Sequence, residues 1–80
     1  MSLESIEVTA RFDLQGQVYP LSLLWKGQVY PVETTGRRWQ APTGLHILVL
    51  TASGLAFELC FNASEGRWYM VQSSTDRLLA

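Results

Sequence analysis

The chain has 80 residues, a formal net charge of −1, and charged residues at 16% of its positions. A chain of this length forms a single domain, residues 1–80, with a thin core, and its charged fraction is well below the roughly 25% of an average soluble domain. The near-neutral balance excludes a strong general attraction for polyanions. So few charges predict an exposed apolar surface, and therefore a homo-oligomer or a protein partner.

The cysteine count and the hydropathy pattern bear on the cellular compartment and on membrane insertion. The single cysteine, Cys60, cannot form an internal disulfide, and the opening "MSLESIEVTA" lacks the pattern of a secretory signal. The longest continuous apolar run, 47–50, is far shorter than the ~20 residues that cross a bilayer. We therefore expect a cytoplasmic protein that has no membrane segment.

Alternating polarity along the chain predicts an all-β protein. Ile6, Val8, Ala10 and Phe12 alternate with polar residues in the first segment, and similar segments follow. We predict a six-stranded antiparallel meander that forms a small barrel or a strongly curved sheet, with strands near residues 4–13, 17–26, 28–35, 45–51, 55–61 and 67–73. Residues 35–44, "TGRRWQAPTG", are predicted to be the longest loop, and Ser74 or Thr75 to cap a short helical turn in the tail.

The five letters "GQVYP" occur twice, at residues 16–20 and 27–31. A two-residue turn at Lys26-Gly27 sets Leu23 opposite Tyr30, and the same interpretation of Gln15-Gly16 sets Phe12 opposite Tyr19 and Val8 opposite Leu23. In both copies the valine and proline then point outward and the tyrosine points inward.

Two such turns cannot both flank a regular second strand, because a strand residue directs its N–H and C=O groups to one side only. Either "DLQG" must form a turn with a bulged glycine, or the second strand must carry a bulge, for which Pro20 is the natural site because it has no N–H to donate.

Residues capable of acid-base or metal chemistry are scattered. His46 and Cys60 each lie between apolar neighbours, which favours structural roles, and Glu58 is expected on an open face as a solvated strand residue. The sequence contains no phosphate-binding glycine loop, nucleophile elbow or zinc spacing. We therefore predict no catalytic residue, no metal and no cofactor; an enzyme or small-ligand pocket that uses Glu58 or His46 is the weakest alternative.

Cations adjoin tryptophans at three places: Trp25-Lys26, Arg38-Trp39 and Arg67-Trp68. Trp25 and Trp68 fall on predicted strands and are expected in the core. Trp39 follows two arginines in the predicted loop, so Arg37, Arg38 and Trp39 form the candidate binding site. The leading hypothesis is a non-catalytic module for protein interaction or self-association, and the alternative is weak binding of single-stranded nucleic acid through these three residues.

Several of these motifs resemble a family of short bacterial domains of unknown function. The similarity rests on "ARFD", "LLWKGQVYPV", Trp39, "FELCF" and "GRWYM", which together span residues 11–71. Some members of that family lie beside or are fused to Y-family-like DNA polymerases of mutagenic repair, so the resemblance implies an accessory or docking role. Gln28 stands where a cation is common in the family, and the chain is less basic than its members.

Overall fold

The computed structural model describes residues 3–74, and these form a closed all-β barrel. Six antiparallel strands follow one another around it in chain order: β1 (Glu4–Phe12), β2 (Val18–Trp25), β3 (Gln28–Ala41), β4 (Gly44–Thr51), β5 (Ala56–Asn62) and β6 (Arg67–Ser74). The meander is therefore confirmed, and it closes where Glu4–Ile6 pair with Trp68–Met70. The helical turn predicted for the tail lies outside the described residues. No helix long and apolar enough to span a membrane is found among residues 3–74.

Side chains that alternate along the strands fill the barrel. Ile47 and Val49 of β4 point inward and are at most 2% exposed, whereas the alternating residues Leu48 and Leu50 point outward. On β5, Phe57 and Leu59 point inward as the sequence predicts. The buried cluster consists of Val18, Leu23, Ile47, Val49, Phe57, Leu59, Trp68 and Met70. Burying one such side chain contributes about 1.5–3 kcal/mol, so these few residues supply most of the hydrophobic stabilisation.

The two "GQVYP" copies have opposite orientations. Lys26 and Gly27 have φ angles of 52° and 77° and form the predicted two-residue turn, so that Leu23 pairs with Tyr30. In this copy Val29 is 59% exposed and Tyr30 packs against the core, as predicted. In the first copy Phe12 pairs with Val18, and Val18 is only 3% exposed. The predicted pairing of Phe12 with Tyr19, and with it the inward orientation of Tyr19, is wrong.

A β-bulge in β2 explains this difference. Thr9 pairs with Ser22 but Ala10 pairs with Pro20, so Leu21 is an extra residue on β2 and is 47% exposed. One extra residue exchanges the inward and outward faces of a strand, so that Val18 and Pro20 become buried. The predicted bulge therefore occurs, immediately after Pro20, while the predicted Val8–Leu23 pair is retained.

The other structural alternative, a glycine-closed turn, is also present in the β1–β2 hairpin. The Gly16 N–H donates to the Asp13 carbonyl at 3.0 Å, and Gly16 has a φ of 81° that a glycine adopts readily. The turn and the bulge thus occur together, and the turn determines how the Val18 end of β2 pairs with β1.

The predicted loop at residues 35–44 is wrong, because β3 continues to Ala41 and only Pro42 and Thr43 connect it to β4. Register shifts occur between Val32 and Thr34 and again between Thr35 and Arg38. Each adds one residue to β3, which lets the long strand bend from β2 towards β4. The glycine within this segment therefore lies at a bulge, and the proline lies in a tight turn.

The two copies of the repeat provide a matched test of this register. Val18→Ala should lower the free energy of unfolding by about 1.5–3 kcal/mol, because Val18 is buried. Val29→Ala makes the same change at the equivalent position of the second copy. It should alter the free energy of unfolding by less than about 0.5 kcal/mol, because Val29 is exposed. Urea denaturation of both variants measures the difference. Equal losses would contradict the bulged register.

Candidate functional site

A row of polar and aromatic side chains crosses the outside of the barrel. Trp39 pairs with His46, His46 with Cys60, Cys60 with Tyr69, and Tyr69 with Ser5, so that the row spans five neighbouring strands. At its far end the Tyr69 hydroxyl donates to Glu65 at 2.6 Å, and this bond raises the pKa of Tyr69. Within this row His46 and Cys60 are buried, and Trp39 and Tyr69 are half-buried.

His46 is held by hydrogen bonds at both ring nitrogens. Its Nδ1 lies 2.8 Å from Glu58 Oε2, and its Nε2 lies 2.7 Å from Thr43 Oγ1. Nδ1–H donates to the Glu58 carboxylate, and Nε2 shares a hydrogen bond with the Thr43 hydroxyl, which can either donate or accept. The imidazole therefore ties the β3–β4 turn to β5, with its side chain 11% exposed.

Glu58 is not the solvated strand residue expected from the sequence. Its side chain is 20% exposed and bonded to His46, so the expected open face is wrong. Sequence reasoning could not bring these two residues together, because they lie diagonally on neighbouring strands and only the register fixes their distance. One signal was present: each is a polar residue between two apolar residues of a core strand.

The structure separates the three candidate binding residues into two groups. Trp39 stacks on His46 with ring centroids 5.3 Å apart, and the Arg37 guanidinium lies 5.1 Å from the Trp39 ring centroid. Arg38 points away from both. Its Nη2 donates to the Val18 carbonyl at 2.6 Å, and its guanidinium lies 5.2 Å from the Tyr19 ring. Arg37 and Trp39 thus remain together, whereas Arg38 connects β3 to the bulged part of β2.

Cys60 is fully buried beneath the β3–β4 turn. Its Sγ donates to the Thr43 carbonyl at 3.3 Å, and burial raises the pKa of its thiol. The approach of the turn is close, since a Cβ on Gly44 would lie only 2.5 Å from the Phe61 carbonyl oxygen. The expectation of a structural cysteine is met, and glycine at position 44 is what allows the turn to pack on β5.

Removing the imidazole should test whether it supports the fold. His46→Ala leaves Glu58 and Thr43 without their partner, so we expect the free energy of unfolding to fall by about 1–3 kcal/mol. The matched control is Tyr69→Phe, which removes an exposed hydroxyl-to-glutamate bond and should cost less than about 0.5 kcal/mol. Chemical denaturation gives both values; a His46→Ala variant as stable as the control would refute the bracing role.

The raised pKa of Cys60 predicts a protected thiol. Iodoacetamide should alkylate the folded protein at least about tenfold more slowly than the urea-unfolded chain at neutral pH, because the thiolate is the reactive form. Since the folded pKa lies above the unfolded one, the contribution of this group to stability is complete below the ordinary thiol pKa and is lost as the pH rises through the folded value. Fast labelling of the folded protein would contradict this burial.

A recess of about 390 Å³ opens at the end of the barrel near the β1–β2 turn. Apolar residues form most of its surface, among them Phe12, Val18, Leu45 and Phe61. Two glutamines, Gln17 and Gln40, add polar groups. Phe12 and Phe61 meet edge to face across it, with centroids 5.9 Å apart. None of the described residues that line it carries a charge. This composition suits an uncharged, bulky apolar group.

Leu14 projects from the turn beside this recess and is fully exposed, at 102% of the reference area. The turn is rigid because Asp13 Oδ1 accepts the N–H groups of both Gln15 and Gln17, at 2.9 and 2.8 Å. The Asp13 N–H also donates to the Gln17 carbonyl at 3.0 Å. The fold therefore holds a large apolar side chain in water next to an apolar recess.

Other apolar side chains are exposed on the barrel wall. Leu24 and Val29 lie side by side on β2 and β3 and line a smaller recess of about 160 Å³. A third recess, of about 290 Å³, follows the seam between β1 and β6. The large hydrophobic residues exposed in the described part of the chain are Phe12, Leu14, Leu21, Leu24, Val29, Leu48 and Leu50. Thr43, His46 and Glu58 line none of these three recesses.

Comparison of the chain with protein-family models, with curated proteins and with solved structures finds no match. The association with repair polymerases that the sequence resemblance implies therefore remains a prediction.

Proposed function

We propose that the protein is a non-catalytic module that associates with itself or with a protein partner through apolar surface at the end of its barrel. The observation that carries this proposal is the pairing of a fully exposed Leu14, held on a hydrogen-bonded turn, with an uncharged recess beside it. Exposed apolar side chains next to a recess favour association, because contact removes both from water.

The outer row supports a nucleic-acid function less well. A single-stranded nucleic-acid groove needs aromatic faces that are free to stack on bases and cations that are free to contact phosphate. Trp39 is already stacked on His46 and in contact with Arg37, while Arg38 is bonded to the Val18 carbonyl. These side chains stabilise one another within the barrel, so protein association is the better proposal.

The Thr43–His46–Glu58 arrangement has the order of groups found in hydrolase triads: hydroxyl, imidazole and carboxylate. We assign it a structural role in this proposal. The Thr43 carbonyl is bonded to Cys60, and none of the three recesses described above lies beside the Thr43 hydroxyl, so none of them offers a substrate cleft there.

An accessory role in DNA repair would make a polymerase subunit the partner. That part of the proposal rests on the sequence resemblance alone.

Solution mass tests the proposal. The full chain should show a mass in light scattering and sedimentation that rises with protein concentration, because association through a small apolar surface is weak and reversible. Added salt should change it little, because the surface is uncharged. A monomer at every concentration and salt level would leave self-association without support, and failure to bind a purified repair polymerase would remove the polymerase as partner.

A further inference from the structure

We infer that the partner at the barrel end is a second copy of this chain, and that the two copies form a closed dimer in which Leu14 of each inserts into the recess of the other. This inference rests on the proposed function and specifies its partner. Leu14 lies between Phe12 and Gly16 in the chain, and both of these residues line the recess. The projecting side chain and the recess therefore belong to the same end of the barrel.

The position of Leu14 beside the recess permits two-fold symmetry. In a two-fold interface the same patch of each copy meets its duplicate. When a patch contains both a projection and a cavity, the projection of each copy can therefore enter the cavity of the other. A projection on the opposite end would instead give head-to-tail chains that do not close. Here both contacts form at once, and the assembly ends at two copies.

The uncharged lining of the recess is compatible with a second copy of the chain. Across a two-fold axis each charged residue approaches its own duplicate, so a charged patch repels itself, whereas an uncharged one does not. The residues that line the recess are uncharged. The nearby Asp13 carboxylate is bonded to the turn N–H groups, and Arg38 is bonded to Val18. The barrel end is therefore electrostatically compatible with an identical copy of itself.

The rigidity of the turn also favours insertion. Hydrogen bonds from Gly16, Gln15 and Gln17 to Asp13 fix the turn before any partner arrives. Association then orders little backbone, and less conformational entropy is lost than with a mobile loop. Because the inserted contact consists of one leucine from each copy, we expect a weak dimer that dissociates on dilution.

Leu14→Asp is the direct test, and because Leu14 is fully exposed the variant should fold normally. Sedimentation equilibrium of the full chain should show a wild-type mass that reaches two copies and stops. Leu14→Asp should weaken dimerisation at least about a hundredfold, since each dimer loses two buried leucines. Leu14→Met should change the dissociation constant by less than about tenfold. The control is Val29→Asp, which changes an exposed apolar residue on the barrel wall and should leave the dimer intact.

A mixing experiment tests insertion itself. Leu14→Asp places a carboxylate in the partner recess, and Gln40→Lys places a cation in that recess. An equimolar mixture of the two variants should dimerise at least about tenfold more tightly than Leu14→Asp alone, because a new charge pair forms and one unaltered contact remains. No gain on mixing would overturn the reciprocal insertion.

The remaining outcomes separate this inference from the proposed function. A wild-type dimer that survives Leu14→Asp but is lost in Val29→Asp would overturn the barrel-end dimer and leave self-association standing on the wall. A mass that grows beyond two copies and depends on Leu14 would overturn the closed symmetry. A strictly monomeric protein would overturn the dimer and leave a different protein as the partner in the proposed function, and binding of the fluorescent dye anilinonaphthalene sulfonate to that monomer in a Leu14-independent manner would assign the recess to a small ligand.

Discussion

The extra residue in β2 is the constraint on which most of the barrel depends. Without the bulge at Leu21, Tyr19 would point into the core and Val18 would point to solvent, because every residue before the bulge would exchange faces. With it, Val18 contributes to the core and to the wall of the end recess, and Tyr19 lies outside. The half-buried ring of Tyr19 then contacts the guanidinium groups of Arg11 and Arg38, whose carbons lie 4.7 and 5.2 Å from the ring centroid.

Several cations lie over aromatic rings on the barrel, although adjacency in the sequence is a poor guide to these contacts: Lys26 lies over its neighbour Trp25, whereas Arg38 lies over Tyr19 and not over Trp39. Lys26 lies over Trp25, Arg37 over Trp39, and Arg11 over Tyr19, each about 5 Å from the ring centroid. These long side chains cover aromatic surface with their stems while their charged ends remain near solvent. The cation–aromatic contacts therefore depend on strand pairing and side-chain direction as well as on adjacency in the sequence.

The sequence predicted most of the strands because alternation is a local property. It also predicted the Lys26-Gly27 turn and the pairs that follow from it, since glycine chemistry is local as well. It did not predict how far β3 extends, because a glycine such as Gly36 is equally compatible with a loop and with a bulge inside a strand. The His46–Glu58 bond depends on the register of β4 with β5, and the end recess depends on the bulged pairing of β1 with β2, so neither could be found from local alternation alone.

The close packing of Gly44 on β5 means that the two surfaces of this barrel are mechanically linked. Gly44 follows Thr43, the residue that binds His46, and its backbone lies against the carbonyl of Phe61, which lines the end recess. With no space between them, a displacement of the β3–β4 turn must move the Phe61 peptide, because close-packed interiors transmit strain. The outer row therefore acts as a brace that sets the shape of the recess from the other side of the wall.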